Sequence, residues 1–166
     1  MKFLLFFIAL VMGERMQNYN QAGKSFVQQY YAIFDSTQRT NVRNFYENND
    51  SVLVASGNIF FGVDAIVQKL TSMVIITQRN ITAMDCQPTN DAGIVVNIAG
   101  RFSFIDTLKV VNTNATNATL WFNEMFVLKP RVTSFFIENQ QFRTSVWNMT
   151  TALMNNSDGL IFVWTM

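Results

Sequence analysis

The chain contains no histidine and only one cysteine in 166 residues. Without histidine, both the commonest general base and the commonest zinc ligand are missing. Cys86 has no second cysteine to pair with, which excludes an internal disulfide and a thiolate metal cluster. Set in a strand-like run, it reads as core filler. Charged residues make up just 14% and the formal net charge is +1, so no basic surface calls for nucleic acid and no acidic one for a basic partner. Phosphate-binding glycine loops, nucleophile elbows and metal-ligand spacings are also lacking. Aromatic residues, by contrast, are plentiful at 14%, and 16 residues are Phe. That content suits a core built around a pocket or a large sheet. The length suffices for one domain with a real core, and no linker or internal repeat divides it.

Both ends fall outside a simple domain plan. The start, "MKFLLFFIALVM", has a positive Lys2 followed by an unbroken apolar run over 3–12. Ten residues are too few to span a bilayer but match the apolar region of a signal peptide, with a small-residue cleavage site after Gly13. Residues 1–15 are therefore set apart as a candidate signal peptide; the alternative is an apolar extension upstream of a start at Met16. Six N-x-S/T sequons occur, at Asn49, Asn80, Asn114, Asn117, Asn148 and Asn155. Asn114 and Asn117 are the candidate glycosylation sites, because they sit in a long polar connection over 106–120. Residues 149–166 form a C-terminal extension ending "GLIFVWTM", apolar and without an obvious place in a sheet.

Between these ends the hydrophobic period changes once. Over 18–35, Phe26, Tyr30, Ile33 and Phe34 share one helical face. A short second helix is expected over 40–46 and a third over 63–73, where Val63, Ile66, Val67 and Leu70 lie on one side. "SVLVASGNIFFG" reads as strand, turn and strand, with the turn at Ser56-Gly57-Asn58. After the third helix the period becomes two. "NITAMDCQP" is a strand stopped by Pro88, and "GIVVNIAGRFSF" turns Ile94, Val96, Ile98, Phe102 and Phe104 one way and Asn97, Arg101 and Ser103 the other. "LWFNEMFVLK" and "SFFIENQQF" are two further strands. The pattern predicts an α+β domain with helices on one face of an antiparallel sheet.

Taken in order, "AGKSFVQQYYAIFD", "FYENNDSVLVASGNIFFG", "AIVQKL", "ITAMDCQPTNDAGIVVNIAGRF", "FNEMFVLKP" and "FFIENQQFR" resemble the nuclear transport factor 2 family over about 17–148. The resemblance implies a cone: three N-terminal helices wrapped by a strongly bent antiparallel sheet, with a hydrophobic cavity at the wide end. It also implies a homodimer through the sheet faces. The family dimer is a non-enzymatic adaptor that needs no cofactor. It carries Ran-GDP through the nuclear pore by binding phenylalanine-glycine nucleoporins, so the implied localisation is cytoplasm and nucleus. Carried over residue by residue, the implied partner-binding positions are Tyr19 for the nucleoporin repeats, Phe60 and Phe142 at the cavity, and Asp106 at its rim. Ser56 stands where the family has a rim glutamate, and Asp106 alone remains of the family's second acidic run, which implies weakened or lost Ran binding.

Three other readings compete. A divergent copy could keep the fold, lose Ran binding and enter the secretory pathway. The related small export cofactor shares "DCQP", whereas "QQYYAIFD" and "FVLKP" lie closer to the import factor. An enzyme on the same cone would need a carboxylate base in place of histidine. Asp50 and Asp64 suit a turn and a helix start, and the family places a residue like Asp85 on its strand without catalysis.

Overall fold

The computed structural model describes residues 2–47, 50–105 and 117–145. Among the described residues, three helical elements and six strands follow the expected order. Helix α1, Lys2–Phe34, is longer than the hydrophobic stripe predicted, because it continues without a break through the N-terminal apolar segment. Among the described residues, no helix is long and apolar enough to cross a membrane. A 3-10 helix, Arg39–Phe45, follows. Strands β1 (Val52–Ala55) and β2 (Asn58–Phe61) form a hairpin that leads into α2, Gly62–Thr71. The long strands are β3 (Ile76–Pro88), β4 (Ile94–Ile105), β5 (Asn117–Pro130) and β6 (Phe135–Ser145). Strand β5 thus begins inside the connection expected over 106–120.

The six strands form one sheet in the order β2-β1-β6-β5-β4-β3. One pairing corrects the all-antiparallel expectation: β1 and β6 run parallel, with Leu53 opposite Gln140 and Ala55 opposite Phe142. The reversals from β3 to β6 bring β6 alongside β1 in the same direction. Hydrophobic alternation records which face a residue takes but carries no strand direction. The β1–β2 turn has positive φ at Ser56 (49°) and Gly57 (90°), as a two-residue hairpin of the primed type requires. Register shifts at Ile76/Gln78, Ile81/Ala83 and Val127/Leu128 curve the sheet. Gly100 lies beside one of them: a Cβ there would come 2.5 Å from the Asn80 carbonyl oxygen.

The helices cover the inner face of this sheet. Ile94, Val96, Ile98, Phe102 and Phe104 alternate inward from β4, and Leu120, Phe122, Phe126 and Leu128 do so from β5. They meet Phe26, Val27, Tyr30, Tyr31 and Phe34 of α1. Arg39 is buried where the helices end. Its Nε donates to the Phe34 carbonyl at 2.6 Å, and its Nη1 donates to those of Met73 and Val74 at 2.9 and 3.1 Å. One guanidinium thereby satisfies backbone acceptors at the ends of both α1 and α2.

Candidate functional site

Strand alternation carries one carboxylate to the wrong side. Glu124 follows Phe122 and precedes Phe126 on the inner face of β5, and only 4% of it is exposed. Its partners come from α1 and β6. Tyr31 donates its hydroxyl to Glu124 Oε2 at 2.6 Å, and Gln140 Nε2 donates to Oε1. Gln140 Nε2 also donates to the Tyr30 hydroxyl at 3.0 Å, and the Tyr30 and Tyr46 hydroxyls lie 3.1 Å apart. Tyr46 closes the ring by donating to Gln140 Oε1. Five side chains from four segments thus satisfy one another inside the apolar layer, which a buried polar group requires.

Burial sets the electrostatics of this ring. It pushes the Glu124 carboxyl above its ordinary value, although the Arg79 charge and the Tyr31 and Gln140 donors pull the other way. Burial, reinforced by the nearby Glu124, also raises the Tyr30 and Tyr31 hydroxyls, and burial raises that of Tyr46. Beside the ring stands Arg79. Its Nε and Nη2 hold Asp35 in a bidentate pair with both distances 2.8 Å. Burial alone would lower the Arg79 pKa, but the Asp35 hydrogen bonds together with the attractions of Tyr31, Glu124 and Asp35 outweigh it, and the net direction is upward.

Three of the expected partner-binding residues fall among the described residues, on α1, β2 and β6. Tyr19 is half-buried on α1 against the core. Phe60 is half-buried on β2, with the Lys69 ammonium 5.8 Å from its ring centroid. Phe142 is core: it is 4% exposed and stacks on Phe102 and Phe122, with centroids 6.3 and 6.1 Å away. A partner would reach Phe142 only by displacing those rings. Asp106 and Asn114 lie outside the described residues, as do Asn49, Asn148 and Asn155. Asn117 opens β5, opposite Ile105. Glu124 was legible as a lone carboxylate in an inward register, but Arg79 and Gln140 carry no comparable signal.

The outer face of the sheet is different in kind. The register places Phe61, Val52, Asn139, Val127 and Val95 in one row across it, and Ile59, Val54, Gln141, Met125 and Asn97 in the next. At the edge, Ile59 and Phe61 are 58% and 70% exposed. A shallow depression of about 270 Å³ opens toward β3, lined by Ala83, Asp85, Asn97, Asn123 and Arg143 among others. Among the described residues, no group of carboxylates and thiols could hold a metal ion.

A helical layer set against a curved mixed sheet, with a hydrogen-bonded ring of polar side chains on its inner face, defines the class of cone-type α+β domains. Within that class, the family model described as the nuclear transport factor 2 (NTF2) domain matches residues 22–144, and the chain belongs to that family. Nuclear transport factor 2 of Dictyostelium discoideum is 33% identical over 122 residues, covering 73% of this chain and 88% of the relative. The protein of the same name from Oryza sativa subsp. japonica is 32% identical, covering 72% and 91%. The solved structure of nuclear transport factor 2 from Cryptosporidium parvum superposes with a TM-score of 0.63 at 32% identity, covering 76% of this chain and 94% of that one. A solved chain described as a scytalone dehydratase has a TM-score of 0.67 at 12% identity, a likeness of fold alone.

Proposed function

We propose that the chain is a non-enzymatic nucleocytoplasmic transport adaptor that acts as a homodimer and binds Ran-GDP more weakly than its relatives do. One observation carries the reading: the similarity to proteins named nuclear transport factor 2 spans 88% of the Dictyostelium relative and 91% of the rice one. These names lend no support to the secretory alternative. Reduced affinity follows from the rim. The β1–β2 turn offers Ser56 in place of a rim glutamate, and Asp106 alone remains in the sequence of the second acidic run. Close charge pairs at protein interfaces couple by about 1.5–7 kcal/mol where measured, so losing such pairs removes much of a micromolar affinity of about 8 kcal/mol. The non-enzymatic reading is supported by Glu124, whose oxygens are engaged by Tyr31 and Gln140.

The test is capture on immobilised Ran-GDP and, separately, on phenylalanine-glycine repeat peptide. The repeats should retain the protein and lose it on Tyr19→Ala, while Ran-GDP should retain it more weakly than it retains the Dictyostelium relative. Retention by neither bait would overturn the proposal.

A further inference from the structure

The end of α1 meets the first half of β3 around a single guanidinium. The Arg79 side chain is 6% exposed. Its Cζ lies 3.9 Å from the Tyr31 ring centroid, 4.9 Å from Phe122, 5.6 Å from Phe34 and 5.7 Å from Phe102. Asp35 takes the Nε and Nη2 hydrogens, at 2.8 Å each, from a position 23% exposed. Nη1 is buried and has no hydrogen-bond acceptor. A buried donor left without an acceptor is costly in an apolar core. Here the aromatic faces around it supply the compensating negative charge. The Glu124 carboxylate adds a second, longer-range attraction.

We propose that this is a cation cage: a binding site selective for a guanidinium, whose resident ligand is the chain's own Arg79. Four ring faces match the flat, weakly hydrated guanidinium, and one carboxylate matches its two-pronged edge. An ammonium would meet the rings but lose the two-pronged pairing. A neutral aromatic group would leave Asp35 and Glu124 without their cation. The recess between α1 and the sheet is thus built for positive charge and is already filled. The other guanidinium nearby, Arg39, packs on Phe34 at 4.5 Å and is held by backbone carbonyls, so it does not fill the cage. This inference goes beyond the transport reading and does not depend on it.

The test is chemical rescue of Arg79→Ala, read by thermal unfolding with methylguanidinium, urea and toluene as probes. Methylguanidinium at about tenfold its Kd should raise the variant's Tm by about 3 °C. It should not raise that of the parent, whose cage is occupied, and urea should raise neither. Equal effects on variant and parent would overturn the proposal, as would stabilisation of the variant by toluene and not by methylguanidinium. If Arg79→Ala does not fold, the parent itself gives the answer through ¹⁵N-resolved NMR. The Arg79 Nε–H should appear far from the free-arginine position, shifted by the rings, and exchange slowly with water. A signal at the free-arginine position would overturn the cage. Both readouts are independent of Ran and nucleoporin binding, so they fail or succeed separately from the proposed function.

Discussion

Helix α1 packs tightly on β3 and β4 at Gly23, and that contact makes a quantitative prediction. A Cβ placed there would lie 2.7 Å from Cys86 Sγ and 3.2 Å from Val96 Cγ2. Two effects oppose each other in Gly23→Ala. Replacing an interior helical glycine by alanine gains about 1 kcal/mol of helix propensity. Forcing a methyl group into packed side chains costs about 1–3 kcal/mol. With a sulfur at 2.7 Å, the clash should win, and the single variant should lose about 1 kcal/mol. Cys86→Ala alone should lose about 1 kcal/mol, because it deletes a half-buried sulfur packed on the core. Together the two changes should interact favourably. With Sγ gone, the tightest remaining neighbour is Val96 Cγ2 at 3.2 Å, which needs to shift by only a few tenths of an ångström. The helix gain then reappears, with a coupling of about 1.5 kcal/mol in the double-mutant cycle. Urea unfolding of the parent, both singles and the double measures all four corners. The close approach would be refuted if Gly23→Ala stabilised the parent by about 1 kcal/mol and the cycle showed coupling under about 0.5 kcal/mol.

Burial raises the folded-state pKa of Glu124 above its ordinary 4.5, so its contribution to stability is complete below that value and is lost as pH rises through the folded one. Each unit of elevation corresponds to about 1.4 kcal/mol lost at higher pH. Glu124→Gln should therefore flatten the decline of the urea midpoint between acid and neutral pH; an unchanged slope would assign the decline to other groups. If the proposed homodimer forms through the outer face, Met125→Arg should place like charges across it and convert the dimer to a monomer in light scattering, and an unchanged dimer mass would move the interface elsewhere. Ser56→Glu should strengthen capture on Ran-GDP by about tenfold if a rim carboxylate is what the turn lacks, since one charge pair is worth at least about 1.4 kcal/mol. No gain would remove the rim from the explanation.

The amino-acid order by itself determined the elements and the faces they bury. Ile94, Val96, Ile98, Phe102 and Phe104 are inward because side chains alternate along any strand, whatever its neighbours. The stripe of Phe26, Tyr30 and Phe34 is likewise local, and the Ser56-Gly57 turn follows from residues adjacent in the chain. The resemblance carried the family, but the sequence reading passed over Glu124, whose only signal was a lone carboxylate among inward apolar residues of β5. What only the tertiary structure decided is long-range. Tyr31 meets Glu124 across 93 positions and Asp35 meets Arg79 across 44. The parallel pairing of β1 with β6 joins segments from opposite ends of the domain. Phe142, an expected contact for a partner, became core because Phe102 and Phe122 close over it. Periodicity reports the environment of a residue averaged over one face. Which distant side chain completes that environment depends on how strands order themselves in the sheet, and the packing of the whole chain settles that order.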